Sequence, residues 1–226
     1  HYPAYADLYR NKFVHSRVSA YQQQGVEVDV FRLRDNETVS YHEFQNIDVV
    51  TGCRSTLAKM LEKNRYKSIL VHFLDENMWN VLRSYLNTTQ ITVWVHGAEI
   101  QPWWRREYNF NTDEQLQLGK LASDKRMSFW RAILQPMHKN LKLVFVSRYF
   151  AEEVMEDLGF RLPEGQYEII HNPINTENFS YVQKAAEQRK KVLSIRPYTS
   201  RTYANDLTVK AIELLAEKPW FKDMTF

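Results

Sequence analysis

SILVHFLDENMWNVLRSYLNTTQITVWVHG, residues 68–97, reads as strand, helix and strand again. SILVHF (68–73) and ITVWV (91–95) are nearly continuous apolar runs, the pattern of strands buried on both faces of a parallel sheet. Between them Trp79, Leu82 and Leu86 recur at helical spacing. The alternation extends upstream. A helix over residues 7–24 carries Phe13, Val14, Val18 and Tyr21 on one stripe, with Gly25 where a C-terminal cap belongs. VEVDVF (26–31) and NIDVV, ending at Thr51, follow as strands, and then a helix with Leu57, Met60 and Leu61 on one face.

Downstream, the chain loses its period over AEIQPWWRREYNFNT (98–112) and regains a helical one over 113–139, around Leu116, Leu121, Phe129, Ile133 and Leu134. LKLVFV (141–146) is the next strand. Ser147 is an N-cap for a helix with Phe150, Val154, Met155 and Leu158 inward, ended by Gly159. Strands alternating with helices at this spacing predict βαβ units in a doubly wound, Rossmann-like parallel sheet, whose ligands bind outside the carboxyl ends of strands. HFLDE, HGAE, VSRY, IIHNP and SIRPYTSR are therefore the segments to search.

A boundary is expected at His171-Asn172-Pro173, because proline pushes its predecessor out of the helical region. Residues 1–173 read as the first domain, 174–190 as a linker, and 191–226 as the beginning of a second α/β domain: strand VLSI, a helix with Leu207, Ala211, Leu214 and Leu215 inward, and a strand start at DMTF. Both ends read as clipped, since the chain opens at HYP, just after where a first strand belongs.

With 226 residues, 44% apolar, 25% charged and 14% aromatic, the chain has enough apolar side chain for a sizeable core. Thirty basic against 27 acidic residues give a net charge of only +3, too even for a nucleic-acid binder. The lone cysteine, Cys53, permits no intramolecular disulfide and points to a reducing, cytoplasmic setting. No apolar run approaches the roughly 20 residues that span a bilayer, and the N-terminus lacks a signal-peptide core.

The six glycines form neither a dinucleotide fingerprint, a P-loop nor a nucleophile elbow. The seven histidines include no H-E-x-x-H pair, and there is no D-x-D, so neither a metal nor another cofactor is expected. What remains is basic and imidazole groups at strand ends. Arg196 follows VLSI directly and Arg201 lies five residues on, before a helix capped by Asn205 or Asp206. Two guanidinium forks beside a helix N-terminus suit a diphosphate, and two solvated loop arginines are the plainer account.

EIIHNPINTENF and VLSIRPYTSRTYANDLTVKAIELL together resemble the interdomain crossover and donor-domain opening of retaining GT-B glycosyltransferases, family 4 in particular, of the bacterial cell-surface polysaccharide type. VFVSRYFAEEVMEDLGF and VWVHGAEI are similar to the family's segments before the crossover and along the active-site cleft. The resemblance implies a GT-B N-terminal, acceptor-side domain and the start of a donor-binding domain. It implies metal-independent transfer of a sugar from a nucleotide-diphosphate donor to a hydroxyl on a glycan or lipid-linked glycan, at the inner face of the membrane. Arg196 and Arg201 stand where the family holds the diphosphate, Asp206 matches the following aspartate, and His96 matches the histidine at the reacting centre. The chain departs from the family in having Ser194-Ile195 before the arginine, no glycine after Arg201, and YPAYADLYRN in place of a glycine-rich loop. The family's acidic pair for donor sugar and ribose would lie beyond Phe226, so the chain alone is expected to be inactive.

His96, Gly97 and Glu99 are thus the principal cleft residues, with His72 and Asp75 one strand earlier, Ser147 and Asn172 at later strand ends, and Arg17 on the first helix as possible acceptor contacts. Against these stand plainer readings: a histidine bonded to a neighbouring strand, turn and cap roles for Asp75 and Ser147, and a solvated helix face for His15 and Arg17. Trp103-Trp104-Arg105-Arg106 suits a membrane interface, sugar stacking or a loop pinned by its tryptophans. A non-catalytic glycosyltransferase-like module docking through that segment is the alternative function.

Overall fold

A computed structural model describes residues 2–35, 38–176, 179–196, 198 and 201–226. Glu177 and Asn178 of the crossover, and Pro197, Thr199 and Ser200 of the arginine loop, lie outside the described residues. The elements are α1 (Lys12–Gln23), β1 (Val30–Leu33), β2 (Ser40–Phe44), β3 (Ile47–Gly52), α2 (Arg54–Lys63), β4 (Ser68–His72), α3 (Glu76–Leu82), β5 (Gln90–Val95), α4 (Asp113–Leu134), β6 (Leu141–Phe145), α5 (Arg148–Leu158), β7 (Tyr167–Ile169) and α6 (Asn205–Ala216). By contacts the chain falls into two compact units, residues 1–102 with 123–174, and residues 103–122 with 175–226.

The first unit is mixed α/β, and its main sheet is parallel, four-stranded, in the order β4-β5-β6-β7, flanked by helices, an arrangement compatible with a Rossmann-like fold. The expectation of one doubly wound sheet gives way to two hydrogen-bonded sheets, because β1, β3 and β2 bond separately in that other order. β1 runs parallel to β3, while β2 is antiparallel to it. The β2–β3 hairpin turns on Gln45 and Asn46, both left-handed at φ 50° and 64°. That geometry usually recruits Asn-Gly, and the polar SYHEF carries little strand signal, so this strand is invisible to periodicity.

Each sheet has its own core. Val71, Ile91, Val93, Val95, Leu141, Leu143 and Phe145 of β4, β5 and β6 pack with Leu61, Leu82, Met127, Trp130, Ile133, Leu134, Val154, Met155 and Leu158 of the helices. Phe44, Ile47 and Val49 pack with Val18 and Tyr2, and with Val14 against them. β4 corrects the two-face expectation: it is the edge of its bonded sheet, and Leu70 on its outer row is 43% exposed.

α1 starts at Lys12 rather than residue 7, with Asn11 left-handed at φ 56° before it. It ends as the sequence predicts. Gly25, at φ 77°, donates to Gln22 O and Val26 to Tyr21 O, the paired bonds of a glycine C-cap. Ser147 Oγ accepts from Phe150 N–H at 3.1 Å and caps α5, and Asp75 Oδ1 accepts from Met78 N–H at 2.8 Å and caps α3. Both residues therefore have the structural roles set against their site assignments.

In the second unit, the expected strand VLSI is reduced to a single parallel bridge between Lys191 and Thr225. A parallel strand paired at a single bridge buries little, and Leu193 and Ile195 stay exposed. α6 forms as predicted, yet its cap is Ala204 at φ 50°, with no side-chain bond, so Asn205 is the first helical residue rather than the cap and Asp206 lies in the first turn. WWRREYN (Trp103–Asn109) is a kinked 3₁₀ stretch. Phe110 lies where a side chain at Gly119 would have to be, which holds the segment on the first half of α4.

Candidate functional site

The parallel register places His72 of β4 beside Trp94 of β5. Alternate residues share a face, so His96 projects on the same side as Trp94, while Val93 and Val95 turn into the core. The rings of His72 and Trp94 stack at 5.1 Å, those of His72 and His96 at 5.2 Å, and His72 Nδ1 lies 2.9 Å from His96 Nε2 in a hydrogen bond. Two strand-end histidines are thus one pair.

α1 closes over this pair. Phe13 and Arg17, four residues apart, share one helix face. Phe13 packs against His96 at 4.7 Å, and Phe73 packs on the same imidazole at 4.6 Å. Phe73 is left-handed at φ 58°. An aromatic residue held in that region is strained by about 1 kcal/mol or more, a cost that clusters at functional sites. Arg17 lies over the Trp94 ring, 5.5 Å from its centroid. Its Nη2 donates to His171 O at 3.0 Å and to Asn172 Oδ1 at 3.4 Å, just after β7. His171 Nδ1–H in turn donates to Val146 O at 2.8 Å. The expectation of a solvated face for His15 and Arg17 is corrected. His15 is 4% exposed, bonded to Tyr2 Oη and Ser19 Oγ, and Arg17 faces the strand ends.

Glu99 acts on the backbone. Its carboxylate accepts from His96 N–H and from Gly97 N–H, the latter at 2.9 Å, and closes the turn that follows β5. Gly97 sits at φ 154°, which side chains rarely adopt. Trp130 of α4, fully buried, donates its indole N–H to Glu99 O at 2.5 Å. Glu99 and Trp130 therefore position the turn that carries His96, and Trp130 carried no site signal in the sequence beyond its place on an apolar stripe.

Burial pushes His72 down to about 3, with His96 and Arg17 adding to the shift, and burial pushes His96 down to about 4, with Arg17 adding. Both imidazoles are neutral at pH 7 and act as hydrogen-bonding groups. Burial raises the Glu99 carboxyl, against the backbone N–H groups that favour its ionised form. The sign for stability follows. Unfolded histidines protonate near 6.5, well before the folded pair, so the unfolded state binds more protons below that pH and stability falls as pH drops from about 6.5 toward 4. His15, also lowered by burial, adds to the fall, and Glu99 opposes it by protonating earlier in the fold. In a His72→Gln/His96→Gln variant the loss between pH 6.5 and 4.5, read from urea midpoints, should be smaller by about 1–3 kcal/mol. An unchanged slope would show that the pair is not held neutral.

The remaining site residues lie in the second unit. Arg196 is exposed and stands 5.4 Å from the Tyr203 ring, and Arg201, in a 3₁₀ turn (Arg201–Tyr203), directs Nη1 at Tyr108 O at 3.5 Å. Trp103 and Trp104 meet edge to face, Lys120 Nζ lies 4.3 Å from the Trp103 centroid, Trp104 remains 47% exposed, and Arg105 and Arg106 are half-buried. Among the described residues no three His, Cys, Asp or Glu side chains gather where they could hold a metal ion, and no helix is long and apolar enough to cross a membrane.

The fold and site define a class: an α/β protein with a neutral histidine pair and a partly buried arginine at the carboxyl edge of a parallel sheet. The chain matches no protein-family model, no curated protein and no solved structure.

Proposed function

We propose that the protein is a glycosyltransferase of GT-B type, retaining and metal-independent, which moves a sugar from a nucleotide-diphosphate donor to a hydroxyl of a glycan or lipid-linked glycan at the cytoplasmic face of the membrane. The observation that carries this reading is the convergence of His72, His96 and Arg17 where ligands of parallel α/β sheets bind. The sequence resemblance supplies the reaction.

In transfer, the bond from the anomeric carbon to the diphosphate breaks, a bond to the acceptor oxygen forms, and the hydroxyl proton leaves with the diphosphate. An imidazole neutral at pH 7 suits holding hydroxyls in place, and the work it does is orientation. The Glu99 clamp on the 96–97 amides keeps that imidazole in one position. Arg196 and Arg201 are assigned to the departing diphosphate, whose charge their guanidiniums offset.

The test is calorimetric binding and turnover of UDP- and GDP-sugars by the full-length protein, with and without EDTA. EDTA-resistant binding with turnover is the expected result. A folded protein that binds no sugar nucleotide would sink the reading in favour of docking through the Trp103–Arg106 segment, for which the half-exposed Trp104 speaks.

A further inference from the structure

Arg17 is a partly buried cation with no carboxylate bonded to it among the described residues. Its bonding partners among the described residues, the His171 carbonyl and the Asn172 amide oxygen, are both neutral, and both are met by Nη2. Nε is buried without a partner. The same patch holds a second orphaned donor, the indole N–H of Trp94, a residue 4% exposed and lying beneath the guanidinium. His96 Nδ1 is buried and unpartnered as well. Buried donors are nearly always matched, and buried arginines nearly always meet a carboxylate. Here a positive charge and two obligatory N–H donors collect at one strand edge with no anion among the described residues to receive them.

We propose that Arg17 is the receptor for one anionic oxygen group, a carboxylate or a phosphate monoester, on the molecule that occupies the carboxyl edge of β4 and β5. The anion site stands on this geometry; calling that molecule the acceptor rests on the transferase reading. An acidic sugar and a phosphate-linked sugar present the same chemistry to a guanidinium. The polar groups that belong to the rest of the molecule are the neutral imidazoles, and the aromatic faces of Phe13 and Phe73 flank them. The role as a strap on residues 171 and 172 occupies Nη2 only, which leaves Nη1 for the ligand.

The experiment is NMR titration of the whole chain with inorganic phosphate and with glucuronate, glucose serving as the neutral control. It follows the Trp94 indole N–H signal in wild type, Arg17→Gln and Arg17→Lys, and the Arg17 Nε–H signal in wild type. Saturable shifts with one or both anions are expected, with affinity at least tenfold weaker in Arg17→Gln and intermediate in Arg17→Lys. Preference for phosphate assigns a phosphate-bearing ligand, and preference for glucuronate an acidic sugar. Arg17→Gln, or Arg17→Lys should the first not fold, binding both anions as tightly as wild type would overturn the proposal, as would an absence of response to either anion. An Arg17-dependent anion response without any sugar-nucleotide binding keeps the site and removes the transferase reading; turnover of a sugar nucleotide without that response does the reverse.

Discussion

On the proposed transferase reading, replacing Arg196 with alanine is expected to lower turnover of sugar nucleotides by about 10²–10³-fold in the full-length protein, the usual effect of deleting one group that stabilises charge in the transition state. The expectation follows from chemistry and from placement. A diphosphate leaving group gains negative charge as its bond to the anomeric carbon breaks, and a guanidinium offers two parallel N–H donors to it. Arg196 is exposed and engages only the face of Tyr203 among the described residues, so its donor edge is available. The loss should fall on kcat more than on KM, because the charge being met is greatest in the transition state. Arg196→Lys should recover part of it, since a point charge remains while the fork does not. Turnover of the alanine variant within about twofold of wild type would remove Arg196 from the mechanism.

Trp130→Ala is expected to destabilise the first unit by about 3–5 kcal/mol, read as a fall in the urea midpoint at unchanged slope. Trp130 is wholly buried, packs in the core beneath β5, and bonds Glu99 O through its indole. The substitution leaves a large cavity and an unpaired carbonyl together. Glu99 in turn holds the amides of His96 and Gly97, so the defect reaches the histidine pair without touching it. A Trp130→Phe variant keeps most of the volume and removes only the donor, and should cost about 1–3 kcal/mol. A loss below about 1 kcal/mol for the alanine variant would mean that the core closes around the gap and that Trp130 does not anchor the turn.

The two effects separate charge at a ligand from support beneath a turn. The Arg196 change should leave the unfolding transition where it is, whereas the Trp130 change should move that transition and blur the low-pH behaviour of His96. Measuring both variants by both assays tests the assignments against each other.

Most of the order of strands and helices in the first unit was legible in the amino-acid sequence, β2 excepted, because each of those elements has a period that only its own residues set. The runs SILVH, ITVWV and LKLVF, the Ser147 and Asp75 caps, and the glycines closing α1 and α5 are local facts, and the structure contains them. His96 was marked by the end of its strand and the glycine after it. Pairing was not legible. That His72 bonds His96, 24 residues away, follows from the β4–β5 register, and that Arg17 reaches His171 and Asn172, more than 150 residues on, follows from where α1 crosses the strand ends. The same crossing buries His15 and turns Arg17 from a surface charge into a cation with neutral partners. Hydrophobic periodicity determined which residues face inward along each element; which residues meet was decided by register and helix placement, through contacts between residues far apart in the chain, and the candidate site is made almost entirely of such contacts.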